Sequence, residues 1–156
     1  MILSCAGRRH RIAIVGGFVI ILTGCATTPQ LKTASGKPEV TIPNTTKKVI
    51  FDALTNAMIQ QGYEIRNIND YSAVYGKRTN SILASMLLGS QYDSTPEARV
   101  AYTIVDTSEG VRVVATLQMI TNPGSAFERV TDFSQQPDAQ SWQSFLENLR
   151  DLLNHQ

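Results

Sequence analysis

The chain has 156 residues, 42% of them hydrophobic and 17% charged, with a formal net charge of +1, two cysteines and two histidines. That length and apolar content fit one small globular domain and exclude a disordered chain. A charge near zero gives no electrostatic case for binding nucleic acid, whose phosphates demand a basic surface.

The first 25 residues differ from the rest. Arg8, Arg9 and Arg11 form a basic cluster without an acidic neighbour, and Ile12 to Leu22 is a run of eleven uncharged, mostly large apolar residues. These are the n-region and h-region of a secretory signal. A helical membrane span needs about 20 apolar residues, so the run is short for a permanent anchor. Directly behind it stand Leu22, Thr23, Gly24 and Cys25. This stretch resembles the lipobox of bacterial lipoproteins. The resemblance implies a thioether from the Cys25 sulfur to diacylglycerol, cleavage before Cys25, and acylation, as by palmitate, of the new amino terminus. The thiolate of Cys25 is the only nucleophile there able to take the lipid. The alternative is an uncleaved signal anchor with an incidental cysteine.

Cleavage divides the chain into a signal peptide, 1–24, a lipidated flexible tether, 25–38, and a single domain, 39–156. With Arg8, Arg9 and Arg11 gone, 11 basic residues face 13 acidic ones, a net −2. Cys5 and His10 leave with the signal, so no disulfide can form within one mature chain. Aspartate after the lipidated cysteine resembles an inner-membrane retention signal, and Ala26 departs from it. In a host with two membranes the resemblance therefore implies the periplasmic face of the outer membrane. In a host with one it implies the outer face of the plasma membrane. Two or three acyl chains hold a protein stably, so the anchor needs no further membrane-binding surface. Ala26 to Pro38 is small, polar and proline-punctuated and reads as the tether.

Glu39 to Ile42, closed by Pro43, reads as a short edge strand. Asn44, Thr45 or Thr46 can cap a following helix whose apolar face is Val49, Ile50, Phe51, Ala53, Leu54, Ala57 and Met58, and Gly62 ends it. Tyr63–Arg66 and Ser72–Arg78 read as strands around a polar turn, Asn67–Asp70. The longest pair is Ala98–Val105 and Val111–Met119, joined by the turn Asp106–Gly110. Val111, Val113, Ala115, Leu117 and Met119 share one face of the second strand, so one face of the sheet is core and the other largely wet. A last helix from about Pro137 carries Trp142, Phe145, Leu146, Leu149, Leu152 and Leu153 in one stripe. The order is (β)α-ββ-ββ-α: an α+β fold in which an antiparallel sheet of four to five strands is packed on one face by two helices.

The tether, the helix after an Asn/Thr cluster, the run Gln61 to Arg78 (QGYEIRNINDYSAVYGKR) and the closing amphipathic helix resemble small α+β lipoprotein domains. The BamC-type lipoproteins of the outer-membrane barrel assembly machinery are an example. This resemblance implies a scaffold or accessory role with an envelope protein as partner.

Two segments exceed that minimal fold. Within Ser81 to Ser90, Ile82, Leu83, Met86 and Leu87 fall on one helical face, with Leu88 beside them. They read either as a short helix completing the core or as an exposed hydrophobic lip, bordered by Tyr75 and Tyr92, that docks a protein or lipid. In Thr121 to Asp132, Pro123 and Gly124 suit a type II turn. Phe127, flanked by Glu128 and Arg129, is either a ligand-facing residue or a packed phenylalanine beside a surface ion pair.

No catalytic or metal signature stands out. His155 has no partner in sequence, and no His/Cys/carboxylate cluster has metal-ligand spacing. Neither G-x-S-x-G nor a glycine-rich phosphate loop occurs, and no cofactor is expected. Lys47, Lys48, Lys77, Arg78, Arg99 and Arg112 read as a basic patch for phosphate or anionic glycan or, more simply, as scattered surface charge. Three function classes follow: a lipid-anchored, non-enzymatic interaction module of an envelope assembly; a binding module for a small apolar or glycan ligand; and, last, a hydrolase of envelope polymers.

Overall fold

The computed structural model describes residues 31–78 and 95–155. Cys25 and the segment carrying Ile82, Leu83, Met86, Leu87, Leu88 and Tyr92 lie outside the described residues. The elements are β1 (Glu39–Ile42), α1 (Lys47–Gln60), β2 (Glu64–Asn69), β3 (Ser72–Arg78), β4 (Glu97–Thr107), β5 (Gly110–Thr121), β6 (Arg129–Asp132) and α2 (Ala139–Asn154). The sheet runs β1-β5-β4-β3-β2, every pair antiparallel, and β6 joins β5 as well. It is an open α+β fold.

Alternation along the strands places one set of side chains under both helices. Cross-strand rows Tyr75–Val100–Leu117, Ala73–Tyr102–Ala115 and Ile104–Val113–Val40 form the floor of the core. Ile50, Leu54 and Met58 of α1 and Leu146 and Leu149 of α2 close it from above. Each fully buried aliphatic or aromatic side chain contributes about 1.5–3 kcal/mol relative to exposure. Tyr75 and Tyr102 meet edge to face at 6.0 Å. Their hydroxyls are satisfied by Thr55 at 2.8 Å and by the Met58 sulfur at 3.4 Å. Tyr75 is therefore a core residue.

Helix α1 begins where Thr46 accepts the Val49 N–H. It ends in a Schellman arrangement, with Gly62 N–H donating to Ile59 and Tyr63 N–H to Met58 while Gly62 holds a φ of 79°. The two central hairpins are tighter than the sequence suggests. Pairing continues to Asn69–Ser72 and Thr107–Gly110, leaving two-residue turns. Asn69 accepts the Tyr71 and Ser72 N–H groups through its own side chain, which lets residues read as turn extend the strand.

Three features depart from expectation. A sixth strand, β6, lies where a loop is expected. The helix-free face is only half wet, because Val74, Val105 and Val114 are half-buried there. The folded part also starts before Glu39. Leu31 packs against the core, and residues 33–37 form a turn in which Ala34 and Ser35 donate their N–H groups to Glu39.

Candidate functional site

The buried polar groups show first what is committed to the fold. Glu97 is 4% exposed on the helix-free face. Arg66 grips it with Nε at 3.2 Å and Nη2 at 3.0 Å, and Arg99 donates from its Nε at 3.3 Å. Arg66 is the extra residue of a bulge in β2, which aims it across β3 to β4. It passes over Gly76, where a Cβ would lie 2.2 Å from the Glu97 carboxylate and 2.6 Å from the Arg66 Nε.

The opposite edge of the sheet holds a second polar cluster. β1 covers the first part of β5 and β6 the last part, so the middle needs other partners. Ala115 donates to Pro38 O, Phe133 to Leu117 O, and Leu117 to the buried Ser134 hydroxyl at 2.8 Å. Lys37 bridges Thr116 at 3.1 Å and Asp132 at 3.4 Å. Burial works to raise the Asp132 carboxyl, but the Ser134 hydroxyl and N–H and the Lys37 ammonium outweigh it and hold it below the usual range. Glu39 behaves alike: burial is offset by Ser35, Arg112 and the Ala34 N–H. Gln143 of α2 accepts the Glu39 N–H at 2.8 Å and donates to its carbonyl at 3.1 Å, sealing the outer side of β1.

The basic residues do not converge. Lys47 pairs with Asp106, Lys48 with Asp52, Arg99 with Glu97 and Arg112 with Glu39, while Lys77 donates to the Gln61 carbonyl. Among the described residues, no three His, Cys, Asp or Glu side chains gather as a metal site. Nor is any helix there long and apolar enough to cross a membrane.

Among the described residues, apolar surface is open to contact at three places, among others. Two are clefts. One of about 540 Å³ lies between the start of α1 and the β2–β3 turn, lined by Lys47, Phe51, Ile68 and Tyr71 among others. The other, of about 430 Å³, runs between α1 and α2 over Val49, Ala53, Leu149, Leu152 and Leu153. The third is the β5–β6 turn. Phe127 is 79% exposed there, with Val130 exposed beside it. It is thus not a packed phenylalanine. Glu128 spends its carboxylate on the Gly124 N–H at 2.7 Å. Of the lipidation and partner-binding candidates only Phe127 falls among the described residues, and it stands at the surface. Sequence reading missed the Arg66–Glu97–Arg99 cluster. Its one signal was the glycine inside a strand pattern at Gly76, a mark of close approach. No protein-family model matches the chain, and no curated protein matches it either.

Proposed function

We propose that this chain is a lipid-anchored envelope protein whose folded part is a non-enzymatic interaction or accessory module. One observation carries the reading. A basic cluster, an apolar run and Leu22-Thr23-Gly24-Cys25 stand in that order, the cysteine six residues before Leu31, which packs on the domain. The Cys25 sulfur takes the diacylglycerol, the signal is removed, and the domain is held at the membrane. Ala26 favours the periplasmic face of the outer membrane where the envelope has two membranes.

The commitment of the buried polar groups supports a module over an enzyme. Glu97, Ser134 and Gln143 each bond to a neighbouring arginine or to strand backbone, so each serves to hold strands in place. Envelope-protein contact is assigned to exposed apolar surface such as that at Phe127, with the Ile82–Leu88 stretch a further candidate from its sequence alone. The apolar lining of the α1–α2 cleft favours a second reading, a binding module for a small apolar or glycan ligand.

Mass spectrometry of the protein purified from bacterial membranes tests the anchor. The wild-type chain is expected to begin at Cys25 and carry the mass of diacylglycerol plus an acyl group. The Cys25→Ala variant is expected to keep its signal and lack the lipid. A wild-type chain without lipid overturns the proposal.

A further inference from the structure

We infer that the turn carrying Phe127 is a second membrane contact, a lipid-facing site that lays the domain against the bilayer in one orientation. The inference rests on the lipid-anchored reading. Its first ground is the shape of the turn. Phe127 holds nothing together, since the loop is fixed by its own polar groups. Ser125 donates through its N–H and its hydroxyl to the Asn122 carbonyl, Glu128 donates to the Ser125 carbonyl, and Phe127 donates its N–H to the Ser125 hydroxyl. A rigid turn thereby holds out a bare aromatic ring, with Val130 exposed on the strand that follows. An exposed phenylalanine ring can bury its apolar surface at the boundary between lipid headgroups and acyl chains.

The second ground is where the tether enters. β1 runs antiparallel to β5, so the chain before Glu39 comes from the end of β5 that leads into the turn. Lys37 and Gly36 lie against Thr116, Asp132 and Gln135, on the β6 side of the sheet. Only Ala26 to Gln30 separate Cys25 from the packed Leu31. From Cys25 to Lys37, which lies on Thr116, the chain can span at most about 40 Å when fully extended. Along β5, the distance from Thr116 to Thr121, where the turn begins, is about 17 Å. A bilayer holding the acyl chains of Cys25 is therefore within reach of Phe127, and the β2 edge lies across the sheet from it. This geometry selects a lipid surface as the occupant. Because the domain is already tethered, even a weak contact is populated through the high local concentration of bilayer.

The test uses the full lipidated protein with Trp142→Phe as background, reconstituted into vesicles of phosphatidylethanolamine and a minority of phosphatidylglycerol whose acyl chains carry bromine. Phe127→Trp places a reporter in the turn and Tyr71→Trp one at the opposite edge. Val130→Trp gives a second reading beside the turn in case the larger ring distorts it. Mass spectrometry of the same sample comes first; absence of lipid on Cys25 overturns the anchor itself. With lipid present, the turn reporter is expected to shift to shorter wavelength and lose most of its emission to bromine, while the Tyr71→Trp reporter keeps its own. Equal emission from the turn reporters in brominated and plain vesicles, or equal quenching at both edges, overturns the inference.

Discussion

The two edges of the sheet are built on different plans. On the β1/β6 side the outer backbone of β5 is closed by two segments: β1 with Pro38 before it, and β6 with Phe133 and the Ser134 hydroxyl after it, while Lys37 bridges side chains over the junction. Gln143 then seals β1 from a helix 104 residues away. On the other side, all six residues of β2 are exposed. That strand is kept by its pairing with β3 and by Arg66, which reaches over Gly76 to Glu97. A bulge and the charges of Glu64 and Arg66 are the means by which natural sheets discourage strangers from pairing with an open edge. One edge is therefore locked by buried hydrogen bonds from distant segments, and the other is guarded by charge.

The largest effect is expected where the guarded edge is pinned. Gly76→Ala pushes a methyl into the Glu97 carboxylate, whose side chain is held by two arginines and has little room to move. Overpacking of this kind costs about 2–3 kcal/mol, read as a lower urea midpoint. In a Glu97→Ala background the same methyl meets the end of Arg66, which has lost the Glu97 carboxylate and can swing aside, so its cost should fall below about 1 kcal/mol, since contacting residues couple in double-mutant cycles. Equal costs in the two backgrounds would show that the Arg66–Glu97 bridge does not hold β2.

A smaller loss is expected at the locked edge. Ser134→Ala removes the acceptor of the Leu117 N–H in a place closed to water. An orphaned buried amide costs about 1–2 kcal/mol. Hydrogen exchange gives the sharper reading, because Leu117 should exchange much faster while Val113, whose strand partner is Val40, stays protected. Unchanged exchange at Leu117 would mean that the seam between β1 and β6 needs no side chain to close it.

This contrast also marks how far the sequence could be read. The core rows were legible because alternation in Val111–Met119 and helical spacing in Ile50, Leu54 and Met58 are local patterns that burial repeats. Thr46 and Gly62, as helix ends, were legible for the same reason. β6 was not. Its four residues, Arg129 to Asp132, are all exposed and carry no alternation of burial, and only the vacant stretch of β5 recruits them as a strand. Ser134, Gln143 and Glu97 were equally silent, since each acts on a residue 17, 104 or 31 positions away. Phe127 could be named from sequence because an aromatic in a polar turn stands out. Its exposure could not, because that depends on the turn satisfying its own hydrogen bonds.

The smallest effect belongs to the open edge itself. Ile65 and Ile68 project from β2 toward the helix side, and roughly half of each side chain stays exposed. If nothing within the domain covers that edge, shortening and wetting them gives up only the half of each side chain that is buried. Threonine keeps the β-branched shape that strands favour. Ile65→Thr and Ile68→Thr should therefore each shift stability by no more than about 0.5 kcal/mol, against the larger loss from one hydroxyl at Ser134. A urea midpoint that falls as far for Ile68→Thr as for Ser134→Ala would erase the distinction, because β2 would then bear as much of the fold as the locked edge does. A small change would establish that its apolar residues are dispensable to folding.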